Sequence, residues 1–357
     1  MQIEDLVFRL IRAELWNETF TSEIGHDDFI RLMDLAREQT INGLIVNGLS
    51  QSNYQGEEDL MFKFISRSVS TQRKNTSINH ELVQFVTFCE KKGLDYRVVK
   101  GQVIGVHYPH PQFRTSGDID FLIKDYPQAK DIFEKKLRIR LPEKMLEKEI
   151  NFSYNGILYE LHTQLIVFGS KRNNRYWAEL ISQAWAEEYT VTVEGAAVKT
   201  LPPVLDIVYI FCHLFFHFVR EGVGLRQLCD LAVQLHYYKD IIDKQQLAEI
   251  LRRLDLTKAF IAFGAVLTDK IGLPAEEFPM TIDEQARRWE DSIVSDIFRG
   301  GNFGKKNHKA KNTWKFKIET TRILIRNVFK YYTLAPTEMR FFVPKLVLIN
   351  TRLALNI

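Results

Sequence analysis

The stretch Arg114-Thr115-Ser116-Gly117-Asp118-Ile119-Asp120-Phe121-Leu122-Ile123 decides how this chain is read. From Asp118 onward, acidic and apolar residues alternate strictly. Successive side chains of a β-strand point to opposite faces, so Asp118 and Asp120 share one face while Ile119 and Phe121 share the other. The apolar face predicts a core beneath it. The acidic face cannot stay bare, because two neighbouring carboxylates repel and need a cation or a proton.

Reading outward, Tyr96-Arg97-Val98-Val99 predicts a strand that Lys100-Gly101 ends. A short helix is expected over 102–108, and Pro109, Pro111 and Gly117 punctuate the loop after it. Downstream, Pro127 opens a helix over 127–138. Strands are expected over 151–154 and 157–162, joined by Asn155-Gly156, a strong hairpin signal. A second hairpin is expected around Glu194-Gly195. Leu158, Glu160 and His162 lie on one face of their strand. If that strand neighbours the Asp118 strand, Glu160 joins the two aspartates. Three converging carboxylates suit magnesium, which takes oxygen ligands and keeps positions open for substrate phosphates. Two such ions roughly 3.5–4 Å apart can stabilise the attacking and leaving oxygens of an in-line phosphoryl displacement.

The flanks are helical in pattern. Leu6, Leu10, Ile11 and Leu15 keep helical spacing, as do Phe62, Ile65, Val69, Leu82, Phe85 and Phe88, with a polar loop over 50–58. Helices are also expected over 204–219, 225–238, 245–254 and 259–271. The organisation is therefore a helical segment over 1–92, an α+β core with a small mixed sheet over 93–201, and a helical region over 202–357.

The 357 residues carry 48 basic and 45 acidic side chains, a formal net charge of +3 that does not by itself mark a nucleic-acid binder. Apolar residues make up 45%, which excludes a disordered chain. Cys89, Cys212 and Cys229 are an odd, scattered three, against a disulfide scaffold or a cysteine-built zinc site. The opening residues lack the basic and apolar regions of a secretory signal. The longest apolar stretch, 203–219, contains Asp206, His213 and His217 and is shorter than the roughly 20 residues a bilayer needs. A cytoplasmic protein with no transmembrane segment is expected.

The run Val98-Val99-Lys100-Gly101, then Tyr108-Pro109, then Arg114 to Ile123, resembles the uncharacterised bacterial nucleotidyltransferase-like family, a branch of the DNA polymerase β nucleotidyltransferase superfamily. Tyr159-Glu160-Leu161-His162 fits that family's later h-E-L-H strand, and the resemblance runs over about 94–235. It implies a metal-dependent transfer of an NMP group from an NTP to an unknown acceptor, by in-line attack at the α-phosphorus. It implies Asp118, Asp120 and Glu160 as catalytic residues and ligands of two Mg²⁺ ions. The superfamily's usual glycine-serine turn is replaced here by Lys100-Gly101. Phosphate binding then falls to Lys100, Gly101, Arg114 and Ser116, with Arg226 a further candidate.

Plainer readings accompany each assignment. The acids suit a solvated strand face, and Lys100 a snorkelling surface lysine. His162 suits a structural hydrogen bonder. His213 and His217 sit four apart without an accompanying HExxH glutamate, and Arg226 and Asp230 make a helical ion pair. Residues 299–330 hold ten basic side chains and one acid, Glu319, and fit a polyanionic or phosphorylated acceptor or an anionic membrane surface as well as a solvated face. The alternatives to an enzyme are a catalytically silent fold that binds a nucleotide or partner, and an RNA- or polyanion-binding protein.

Overall fold

The computed structural model describes residues 2–55, 58–143, 149–302 and 314–341. It is a mixed α+β fold whose small sheet is flanked by helices. The chain forms two compact units. The first holds residues 1–33, 41–167 and 178–206, and the second holds 34–40, 168–177 and 207–357.

A four-stranded mixed sheet organises the first unit, in the order Tyr96–Val99, Asp118–Ile123, Ile157–His162, Glu149–Tyr154. The two outer pairings are antiparallel and the central one is parallel. Its apolar face buries Tyr96, Val98, Ile119, Phe121, Ile123, Tyr159 and Leu161 against Leu82, Phe85 and Cys89 of the long helix Glu58–Lys91. Phe85 meets Phe121 edge-on at 4.7 Å between centroids, and Phe152 stacks on Tyr159 at 5.2 Å. Each such aromatic pair adds roughly 0.5–1.5 kcal/mol beyond the area it buries. The hairpin turn works as its residues dictate. Asn155 and Gly156 have φ of 49° and 79°, the left-handed pair that a two-residue turn requires. Buried Glu81 accepts hydrogen bonds from Tyr159 Oη at 2.8 Å and from Asn155 Nδ2, fixing the hairpin to the long helix.

The 127–138 expectation becomes the helix Tyr126–Ile132, capped by the Asp125 carboxylate accepting from Gln128 N, and a π turn over Phe133–Leu137. The 50–58 stretch differs from its sequence reading. Helix Asn42–Gln51 runs into it, and Asn53–Gln55 pairs in parallel with Thr21–Glu23. Helix Asn42–Gln51 approaches its neighbours closely because its contact positions are glycines. A Cβ at Gly48 would collide with the Leu10 carbonyl, and one at Gly43 with the Phe113 carbonyl.

The second unit is helical. Helices Leu225–Tyr238, Lys244–Leu254 and Thr257–Val266 and most of Pro203–Arg220 fall where the sequence places them. Glu290–Gly300 was not anticipated. Pro203–Arg220 is long and apolar enough to cross a membrane by length and composition, and most of it is buried, as in a core helix. Phe211, Phe215 and Phe218 pack on Phe260 and Phe263. Buried Glu338 accepts from Gly169 N at 2.6 Å and Asn173 Nδ2 at 2.9 Å.

One buried carboxyl in the first unit sets a pH dependence. Glu14, 1% exposed, is bonded by Asn47 and lies 3.3 Å from His110 Nδ1. Burial pushes its carboxyl from 4.5 up to about 7, against the pull of Asn47 and His110. A raised folded-state value means that the contribution is complete below the unfolded value and is lost as pH rises through the folded one. Thermal melts should therefore show stability falling between pH 5 and 7.5 on this account, and Glu14→Gln should flatten that fall.

Candidate metal centre

The strand register places the acids. Asp120 pairs with Glu160 across the parallel junction and Asp118 pairs with Leu158, so Asp118, Asp120 and Glu160 lie on the face opposite the core. Val99 pairs with Asp120 on the other side, which brings Lys100, just past that strand's end, beside the acids. Lys100 has φ 55° and ψ −147°, a backbone state rare outside glycine, and Gly101 follows at φ 41°. Such an outlier costs of order 1–3 kcal/mol and persists where the surroundings fix it. Here it turns the lysine back over the sheet. Its Nζ lies 2.5 Å from Asp120 Oδ1 and 3.9 Å from Glu160 Oε2.

His162 completes the cluster. Its Nε2 is 3.0 Å from Asp120 Oδ1 and 3.8 Å from Glu160 Oε2. One ligand atom from each of Asp120, Glu160 and His162 lies within 4.8 Å of the others, so these three can hold a metal ion. Asp118 sits one step along the strand, half-buried, and its charge acts on Glu160.

The protonation pattern follows from burial and neighbours. Burial alone would raise the Asp120 carboxyl, but the Lys100 ammonium and the His162 hydrogen bond outweigh it and hold it well below the usual range. Glu160 moves the other way, from 4.5 up to about 8, through burial and the charge on Asp120, with Lys100 opposing. Burial lowers His162, against its bond to Asp120, so the imidazole is neutral at pH 7. Its Nε2 then donates to Asp120. The face thus neutralises itself with one ammonium and one shared carboxyl proton, the two devices that close carboxylates demand.

Other candidates have different surroundings. Arg114 is 1% exposed, donates from Nη1 to Ser116 Oγ at 2.8 Å, and its carbonyl accepts from Asn75 Nδ2 at 2.7 Å. Arg114 and Ser116 thus brace the loop that enters the Asp118 strand. Gly101 packs close to the Asp118 carbonyl, 3.5 Å from where a Cβ would stand. Arg226 lies in the second unit, 3.7 Å from Asp230 Oδ2, the i,i+4 pair its spacing suggests. His213 and His217, also in that unit, have ring centroids 4.4 Å apart. Lys305, Lys306, Lys309 and Lys311 lie outside the described residues.

Sequence reading missed Glu149. Its Oε2 lies 3.7 Å from His162 Nδ1, because Glu149 pairs with His162 across the hairpin. The signal was present: a two-residue turn at Asn155-Gly156 pairs Tyr154 with Ile157, and counting outward reaches Glu149 and His162.

The family described as uncharacterised nucleotidyltransferase matches residues 25–269. The chain belongs to this family. A search of curated proteins gave no match. Among solved structures, an antigenic nucleotidyltransferase-like protein from Paracoccidioides brasiliensis is similar at 13% identity and a TM-score of 0.31, covering 55% of this chain and 92% of that one.

Relief of repulsion would make Asp120→Asn stabilising, but the structure reverses that sign. Asp120 is 3% exposed and paired with Lys100. Removing one partner of a buried pair leaves the other uncompensated, at a cost of roughly 3–5 kcal/mol. Asp120→Asn should lower the denaturant midpoint clearly, and Asp118→Asn, at the half-buried position, should lower it less.

Proposed function

We propose that this member of the nucleotidyltransferase family is a metal-dependent enzyme that moves an NMP group from an NTP to an acceptor. The observation that carries the reading is the register pairing of Asp120 with Glu160, with Asp118 on the same face. The donor set fits a hard divalent cation: clustered carboxylate oxygens, already balanced by an ammonium and a proton. Asp118, Asp120 and Glu160 would hold Mg²⁺, which when bound neutralises triphosphate charge and stabilises the oxygens of an in-line displacement.

The chain's own groups have defined tasks. Glu160, with its value near 8, loses its proton as the site fills and can then take one at Oε2 from the attacking hydroxyl. The acceptor oxygen bonds to the α-phosphorus, the bond to the bridging oxygen breaks, and pyrophosphate leaves. His162 keeps Asp120 oriented through Nε2. Lys100, displaced from Asp120, supplies positive charge to phosphate oxygens. Residues 299–330, basic in sequence, suit an anionic acceptor. The three cysteines are free and buried, which suits a reducing compartment such as the cytoplasm.

One observation favours a silent nucleotide-binding fold instead. Lys100 Nζ at 2.5 Å from Asp120 already acts as that acid's counter-ion. Pyrophosphate release separates the two readings. With Mg²⁺ and an acceptor-rich extract, at least one NTP should yield pyrophosphate. Asp118→Asn and Asp120→Asn should abolish the release, and Glu160→Gln should reduce it by about 10²–10⁴-fold, as loss of a general base does. Mg²⁺-dependent NTP binding with no release from any NTP would support the silent fold.

Cation binding should also depend on pH. A ligand must be deprotonated to bind metal, so binding releases the Glu160 proton. Calorimetry should show Mg²⁺ affinity rising from pH 6.5 to about 8.5, with proton release, and Glu160→Gln should remove both the rise and the release.

A further inference from the structure

Asp296 gathers more positive charge than its burial requires. It lies on the helix Glu290–Gly300 of the second unit and is buried. Arg299 Nη1 is 2.9 Å from its Oδ1. From the helix Trp314–Tyr331, Arg326 Nη2 donates to the same oxygen at 3.3 Å, and Lys330 Nζ and Tyr331 Oη donate to Oδ2 at 2.9 and 2.7 Å. A carboxylate has about four lone-pair sites, and these four groups fill them. Burial would raise the Asp296 carboxyl, but the hydrogen bonds from Tyr331 and Lys330 outweigh it and hold the group below its usual range.

One buried charge needs one counter-ion. Three cations around one carboxylate leave two positive charges in excess, and like charges this close repel. The two helices do not supply the missing negative charge. Trp314–Tyr331 contains five basic residues and one acid, Glu319, which stands seven residues before Arg326 with Arg322 between them. On Glu290–Gly300, Glu290 pairs with Lys270 at 2.8 Å, and Asp291 is about 140° round the helix from Asp296.

The cations are held in place and open to solvent. Arg326 also donates from Nε and Nη2 to Asn327 Oδ1 at 3.1 and 2.9 Å, and Asn327 Nδ2 donates to the Phe218 and Val219 carbonyls. The side chains of Arg299, Arg326 and Lys330 are 52%, 43% and 31% exposed, and that of Asp296 is 2% exposed. Water therefore reaches the cations and not their anchor. Side chains fixed in this way lose little further freedom when they bind an anion. A phosphate monoester carries about 1.5–2 negative charges near pH 7, which matches the excess, and guanidinium forks fit its oxygens. A carboxylate or a phosphodiester carries only one charge.

The geometry points to a binding site for a phosphate monoester at Arg299, Arg326 and Lys330, with Asp296 as the buried anchor that arrays them. The metal centre belongs to the first unit and shares no residue with this site. The nucleotidyltransferase reading and this one therefore fail independently.

Isothermal titration calorimetry of the full chain with inorganic phosphate, in metal-free buffer at constant ionic strength, tests the inference. One saturable site is expected, and acetate should bind at least about tenfold more weakly because it carries less charge. Arg326→Gln should weaken phosphate binding at least about tenfold, as loss of a hydrogen bond to a charged partner does, and Arg299→Gln with Lys330→Gln by more. Arg326→Lys should recover part of the loss, since it keeps the charge without the fork. Every variant leaves Asp296 at least one cation, so each should still melt cooperatively. Four results would overturn the inference: no saturable phosphate binding by wild type, acetate binding as tight as phosphate, phosphate binding retained in both glutamine variants, or a labelled single-stranded RNA that binds wild type, is lost in those variants and is not displaced by phosphate.

Discussion

The structure depends on the two-faced strand Asp118–Ile123. Every second residue belongs to the core and every other one to the site, and both neighbouring strands lock that division by register. A slip of one residue would drive Asp120 into the packing around Phe85 and leave Phe121 beside Lys100. The core around Phe121 and Tyr159 therefore sets the geometry of the acids, even though no core atom takes part in chemistry. The long helix contributes through Glu81, which holds the hairpin carrying Glu160 and His162.

The acidic face is a balance of opposing terms. Burial penalises each charge on it, and mutual repulsion adds to that penalty. The chain answers with a strained backbone at Lys100 that delivers an ammonium, and with a proton kept on Glu160 near neutral pH. Both substitutes are exchangeable. A proton leaves as pH rises, and a lysine side chain can swing to a phosphate. Both would serve the proposed cation site, which has to be stable when empty and receptive to a cation with an anionic substrate.

Much of this was legible in the sequence, for physical reasons. The alternation in Asp118–Ile123 and the Asn155-Gly156 turn are local signals, and local rules held there. Helices of the C-terminal region were legible through long apolar periodicity. Other features were not, the helix Glu290–Gly300 among them. The paired three-residue strands Thr21–Glu23 and Asn53–Gln55 are too short to carry a pattern and meet across distant sequence. The positive φ of Lys100 gives no sign in the sequence, since only tertiary contacts hold a lysine in that state. Burial of Arg114 against Ser116 likewise depends on packing, which no local pattern in the loop carries.

The central claim is that the carboxylate face binds a divalent cation together with a nucleoside triphosphate. Electron paramagnetic resonance of Mn²⁺ titrated into the protein, with a non-hydrolysable NTP present, tests it most directly, because bound and free ions give different signals. The account predicts that Mn²⁺ becomes protein-bound, that the nucleotide strengthens the binding, and that an Asp118→Asn/Asp120→Asn protein returns the signal to that of the Mn²⁺–nucleotide complex alone. Identical spectra for wild type and that double variant would contradict it.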